Sequence, residues 1–177
     1  MTDFLWDRTN QPEEPDVPRK ISSIIAASLV LAVLVPPTTA SGASCWSYSR
    51  NERGFARKIN KARSGRDRTK LRLDPELSKV ANKQTQTMVR RNLLHHTPNL
   101  GKRVTNWNSL GENVGVGGTV ASLHKAFMAS PAHKANILGR KFRYVGVATK
   151  QINGFLWVTV VFESKRNPGT TLSMPKC

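Results

Sequence analysis

The sequence predicts an α+β domain over residues 45–177, with helices first and an antiparallel hairpin last. Three observations predict it. Apolar residues recur at three- and four-residue steps in several segments, the period of a helix with one buried face. Asp74-Pro75 and Ser130-Pro131 each pair a capping side chain with a proline suited to a first helical turn. Two β-branched and aromatic runs, FRYVGVATK and FLWVTVVFE, are joined through Ile152, Asn153 and Gly154, a hairpin turn signature. At 177 residues and 38% hydrophobic content, the chain is long enough for one buried core and short for two.

Residues 1–20 carry three prolines and mixed charge without helical or strand periodicity, and read as a disordered leader. Arg19 and Lys20 then precede the apolar run Ile21–Val35, which ends in two prolines and the small-residue segment TTASGAS. A positive flank, an apolar run and a small-residue exit make residues 21–44 a secretory signal with Ala40 or Ala43 as the cleavage point, or an uncleaved N-terminal membrane anchor. Both readings put residues 45–177 outside the cytoplasm, because the positive flank stays inside. Cys45 and Cys177, the two cysteines, stand at the ends of that exported region and read as a disulfide.

From Tyr48 to Arg63, Phe55, Ile59 and Ala62 define an apolar helical face. Arg50, Arg53, Arg57 and Lys61 form a basic stripe on another, continued by Arg63, Arg66, Arg68, Lys70 and Arg72. The first 44 residues hold three bases and five acids, which leaves a net +19 on residues 45–177. Such a field attracts polyanions: anionic lipid, wall polymer or a host surface. Arg50, Arg53, Arg57 and Lys61 are the candidate contact. No aromatic side chains are interleaved with these bases for stacking, which argues against specific nucleic-acid recognition.

The second helix runs from Pro75 to Arg91 with Leu77, Val80, Ala81 and Met88 inward. In RVTNWNSLGEN, Trp107 is expected to pack and Gly111 to break regular structure. A helix from Thr119 to Met128 buries Val120, Leu123 and Phe127, and a short one after Ser130 carries His133.

His96, Glu112 and His133 are the candidate site. Three of the chain's four histidines fall inside the motifs HHTPN (95–99) and SPAHKANIL (130–138), and Glu112 is the only acid between Glu76 and Glu163. Two imidazoles and a carboxylate can hold a divalent metal such as zinc or magnesium, act as general acid and base, or tie loops together by hydrogen bonds. The spacing is not a compact metal signature. No nucleophile accompanies the three: both cysteines are terminal and no serine stands in a G-x-S-x-G elbow. His95 lies outside the H-T-P triplet and His124 sits mid-helix, so neither is placed in the set.

The ordered motifs L-D-P-E-L (73–77), H-T-P-N (96–99), G-E-N-V (111–114), S-P-A-H-K-A-N-I-L (130–138), F-R-Y-V-G-V (142–147) and W-V-T-V-V-F (157–162) closely resemble the bacterial SCP-like branch of the CAP superfamily. The resemblance covers about residues 48–163. It implies a three-layer α-β-α sandwich, an extracellular location, and a central cleft where His96, Glu112 and His133 face one another. Eukaryotic members add a last-strand histidine and a further acid; Trp157 stands near the first place and Ser130 falls on the second. Two functions follow as expectations. One is an exported binding module whose cleft takes a divalent cation and whose basic surface meets anionic partners. The other is a metal-assisted hydrolase, protease- or nuclease-like, with His96 and His133 on the metal and Glu112 as ligand or base.

Overall fold

The computed structural model describes residues 5–7 and 45–176. In chain order the elements are β1 (Leu5–Asp7), α1 (Arg50–Ser64), β2 (Arg72–Leu73), α2 (Pro75–Arg91), α3 (Leu100–Arg103), β3 (Val104–Thr105), β4 (Ser109–Gly117), α4 (Val120–Ala129), α5 (Pro131–Leu138), β5 (Tyr144–Ile152), β6 (Phe155–Glu163) and β7 (Gly169–Thr170). The apolar run 21–35, the cleavage points and Cys177 lie outside the described residues, and with them the expected Cys45–Cys177 pair. Among the described residues, no helix is long and apolar enough to cross a membrane.

A five-stranded sheet of order β1-β4-β6-β5-β2 forms the middle layer. The predicted hairpin is its centre: β5 and β6 pair antiparallel from Tyr144↔Glu163 to Ile152↔Phe155 around Asn153 and Gly154, both at positive φ. Strand alternation sends Val145, Val147, Leu156, Val158, Val160 and Phe162 to one face, where they pack on Phe55, Ile59, Leu123, Phe127 and Ile137 of α1, α4 and α5. Tyr144, Ala148 and Val161 go to the other face, against Leu77, Val80 and Ala81 of α2. Each fully buried aliphatic or aromatic side chain contributes about 1.5–3 kcal/mol. The result is the α-β-α sandwich that the resemblance implies.

Local chemistry sets the helix ends as expected. Asp74 accepts from the Leu77 N–H at 2.9 Å ahead of Pro75, and Asn92 closes α2 in the left-handed region at φ 46°. Ser49 and Glu52 form a reciprocal capping box on α1, and the second Glu52 oxygen accepts from the Thr149 N–H at 3.2 Å, tying α1 to β5. Trp107 is buried, with its indole N–H on the Gly101 carbonyl at 2.9 Å.

Two expectations need correction. Gly111 does not break regular structure; it lies inside β4, which pairs with β6 from Leu110↔Glu163 to Gly117↔Leu156. Glycine disfavours a strand in isolation, but here helices press on the strand. A Cβ at Gly111 would lie 2.7 Å from the Asn136 side chain, and one at Gly115 2.9 Å from the Phe127 ring. Within the leader, Leu5–Asp7 is a strand, pairing antiparallel with Ser109, Leu110 and Gly111. Open backbone groups on the outer edge of β4 accept an extended segment without any periodic pattern in its side chains.

Candidate functional site

Glu112 points from β4 toward the α2 layer, in register with Leu110 and Val114, and only 1% of its surface is exposed. Burying a carboxylate there requires donors, and the loop after α2 supplies them. Glu112 Oε1 meets His96 Nδ1 at 2.8 Å and accepts from the Thr97 N–H at 2.8 Å, while Oε2 accepts a short hydrogen bond from the Thr97 hydroxyl. His96 remains partly exposed, with 25% of its side chain open. With Nδ1–H donated to the carboxylate, the lone pair of the ring resides on Nε2, so Glu112 fixes both tautomer and ring orientation.

Asn113, the next residue, points to the opposite face. Its side-chain amide donates to the His133 carbonyl at 3.0 Å, and its oxygen accepts from Asn136 Nδ2 at 2.9 Å. Asn136 Nδ2 also reaches the Glu112 carbonyl at 3.2 Å. The His133 ring stacks on Phe127, centroids 4.6 Å apart. His96 and Glu112 are thus brought together directly, whereas His133 approaches from the α4–α5 side through Asn113. Among the described residues, no group of three His, Cys, Asp or Glu side chains is arranged to hold a metal ion. The donor chemistry agrees: both Glu112 oxygens already accept hydrogen bonds from His96 and Thr97, so the carboxylate serves as the orienting partner of an imidazole rather than as a ligand in an open three-residue set. Among the described residues, His96, Glu112 and His133 therefore do not form a three-ligand set.

Sequence reasoning missed Thr97, Asn113 and Asn136, which hold the cleft together. The available signal was the polar residue beside each candidate: T in H-T-P, N in G-E-N and N in K-A-N-I-L. It also left out His95, whose Nδ1 lies 2.9 Å from the His96 carbonyl and 3.2 Å from Gln84 Nε2.

The candidate polyanion residues Arg50, Arg53, Arg57 and Lys61 are exposed on α1. Arg53, Arg57 and Lys61 join Lys70 around a cavity of about 870 Å³ floored by Ala56 and Leu73, with no acid in its lining. Among the described residues none of these cations forms an ion pair. Arg63 departs from the expected stripe, being fully buried. Its guanidinium donates to the carbonyls of Thr69, Ile137, Gly139 and Phe142, and burial, then the charges of Arg143 and Arg68, lower its pKa to about 10.

An α-β-α sandwich with a histidine–glutamate cleft opposite a helix pair defines a class of protein. Residues 56–162 match the family model for the cysteine-rich secretory protein (CAP) family, and the chain belongs to that family. Its fold is similar to an outer surface protein of Borrelia burgdorferi (18% identity, TM-score 0.62, covering 68% of this chain and 97% of that one). It is also similar to a venom allergen-like protein of Schistosoma mansoni (11% identity, TM-score 0.58, 72% and 97%). A third similar structure is an extracellular SCP-domain protein of Bacillus anthracis (22% identity, TM-score 0.58, 65% and 40%). No curated protein sequence matches the chain.

Proposed function

We propose that this chain is an exported binding module that uses the basic groove on α1 to hold anionic envelope or host material. The carrying observation is the groove itself. Arg53, Arg57 and Lys61 recur every fourth residue, about 6 Å apart along the helix axis, and Lys70 faces them across an apolar floor. Glu52, the only acid on α1, is turned inward to the capping box and β5, so nothing on the helix neutralises the stripe. Export is supported by the apolar run behind Arg19 and Lys20, and by two similar structures described as outer-surface and extracellular. The His96–Glu112–Thr97 cluster then serves as the clasp that pins the 95–98 loop to β4.

The test is binding of the full chain to anionic vesicles and to a poly(glycerol phosphate) wall polymer across salt. If about four phosphates are neutralised, affinity falls roughly 50-fold between 50 and 200 mM salt. Arg53→Gln with Arg57→Gln should flatten that dependence by about half. Binding indifferent to salt, or unchanged in the double variant, removes the reading.

A further inference from the structure

A second basic cavity, of about 190 Å³, lies between the C-terminal half of α2 and the 95–98 loop. Lys83, Arg90 and Arg91 of α2 line it together with Arg103 of α3, His95 and Thr97, and no carboxylate lines it. Arg90 and Arg91 alone would have an ordinary explanation, since cations near a helix C-terminus complement the helix dipole. That explanation does not reach Lys83, two turns earlier, and it does not account for Arg103 of α3, half-buried, lining the same cavity as the α2 cations. Nor does it reach His95 Nε2, which is buried and has no hydrogen-bond partner among the described residues. Four like charges converging on a small cavity beside an unpartnered ring nitrogen form a cost that an anion removes.

We infer that this cavity binds a phosphate group, as the free ion or as a small phosphomonoester. A tetrahedral dianion presents oxygens in several directions, which suits arginine forks and a lysine arriving from two elements; in the tautomer whose Nδ1 accepts from Gln84 Nε2, a His95 Nε2–H completes the set. The cavity is small enough for the phosphate and a short substituent and too small for a folded polymer. Its position gives the occupant a consequence. His95 and Thr97 flank His96, and Thr97 is bonded to Glu112 through both its N–H and its hydroxyl. A phosphate here braces the loop that orients His96. The inference uses none of the α1 groove and stands apart from the proposed function.

Isothermal titration of inorganic phosphate and of glycerol 3-phosphate into the full chain tests it. One saturable site is expected, and Arg103→Gln, His95→Gln and Arg90→Gln should each weaken it at least about tenfold, the loss of one charge-assisted hydrogen bond. Arg90 is exposed, so its substitution leaves the fold intact even if His95→Gln does not. Arg57→Gln, on α1, should change affinity by less than about twofold, as expected for a remote site. Tighter binding of glycerol 3-phosphate identifies a phosphomonoester site, and tighter binding of the free ion a phosphate site. No saturable binding, or equal losses in Arg57→Gln and Arg90→Gln, overturns the inference.

Discussion

Arg63 shows how one residue type takes opposite roles within one helix. It stands four and eight residues after Ile59 and Phe55, on the apolar phase of α1, whereas Arg53, Arg57 and Lys61 lie on the solvent phase. Reading the basic residues as one run hides this difference; reading their phase reveals it. Glu52 sits on the same buried side, three residues before Phe55, and these two charged residues anchor the helix to β5 and to the end of α5. Arg63→Met would keep much of the buried volume but leave the carbonyls of Thr69, Ile137 and Gly139 without donors. Each orphaned group costs about 1–3 kcal/mol, so urea denaturation should show a loss of about 3 kcal/mol or more. Arg57→Met should change stability by under about 0.5 kcal/mol. The same contrast marks the cleft. His96 and Glu112 were legible from residue type, but Thr97, which satisfies both carboxylate oxygens, was not, because a threonine looks the same in sequence whether or not it serves a buried acid.

Helices α1, α2, α4 and α5 and the central hairpin were legible because each has a period or a start or stop signal: apolar steps of three and four residues, Asp-Pro and Ser-Pro starts, and the Asn153-Gly154 turn; the single turn of α3 around Gly101 has neither. β4 was not, because its glycines conceal its alternation. Those glycines serve interlayer packing, which no local pattern records. Two of them separate two kinds of close approach. At Gly115 a Cβ would meet the Phe127 ring at 2.9 Å and Leu123 at 3.2 Å, side chains that can shift. At Gly146, in β5, it would lie 2.2 Å from the Leu77 main-chain carbon, and α2 would have to move bodily. Overpacking relieved by side chains costs about 1–3 kcal/mol. Gly115→Ala should fall in that range. Gly146→Ala should exceed it, with a visibly lower melting temperature by circular dichroism. Equal melting temperatures for the two variants would mean that α2 is not seated rigidly on the sheet.

At the scale of the whole molecule, residues 45–177 carry a net +19, and three of their six acids, Asp74, Glu76 and Glu163, have pKa values raised by their surroundings. Burial is the first cause that raises the pKa of Asp74, Glu76 and Glu163; the Asp74 charge adds to the shift at the other two. Burial first, then Lys58, lowers the pKa of His124. These shifts act on stability in opposite senses. An acid whose folded pKa is raised holds its proton longer in the native state, so its contribution is present at low pH and is lost as pH rises above the unfolded value, about 4.5 for a glutamate. A histidine whose folded pKa is lowered gives up its proton more readily in the native state. Its contribution is present above the unfolded value, about 6.5, and is lost as pH falls through the folded one. Glu163 is fully buried; its Oε1 accepts from the N–H groups of Asn108 and Lys165, and its Oε2 has no partner among the described residues. Glu163→Gln keeps the accepting oxygen and removes the charge, so the variant should gain on the wild type as pH rises from 4.5 toward 7. His124→Gln removes the group that protonates preferentially on unfolding, so the variant should gain on the wild type as pH falls from 7.5 to 5.5. Melting temperatures of the three proteins across pH 4.5 to 7.5 read both trends at once. Parallel curves would show that neither group titrates differently in the folded chain.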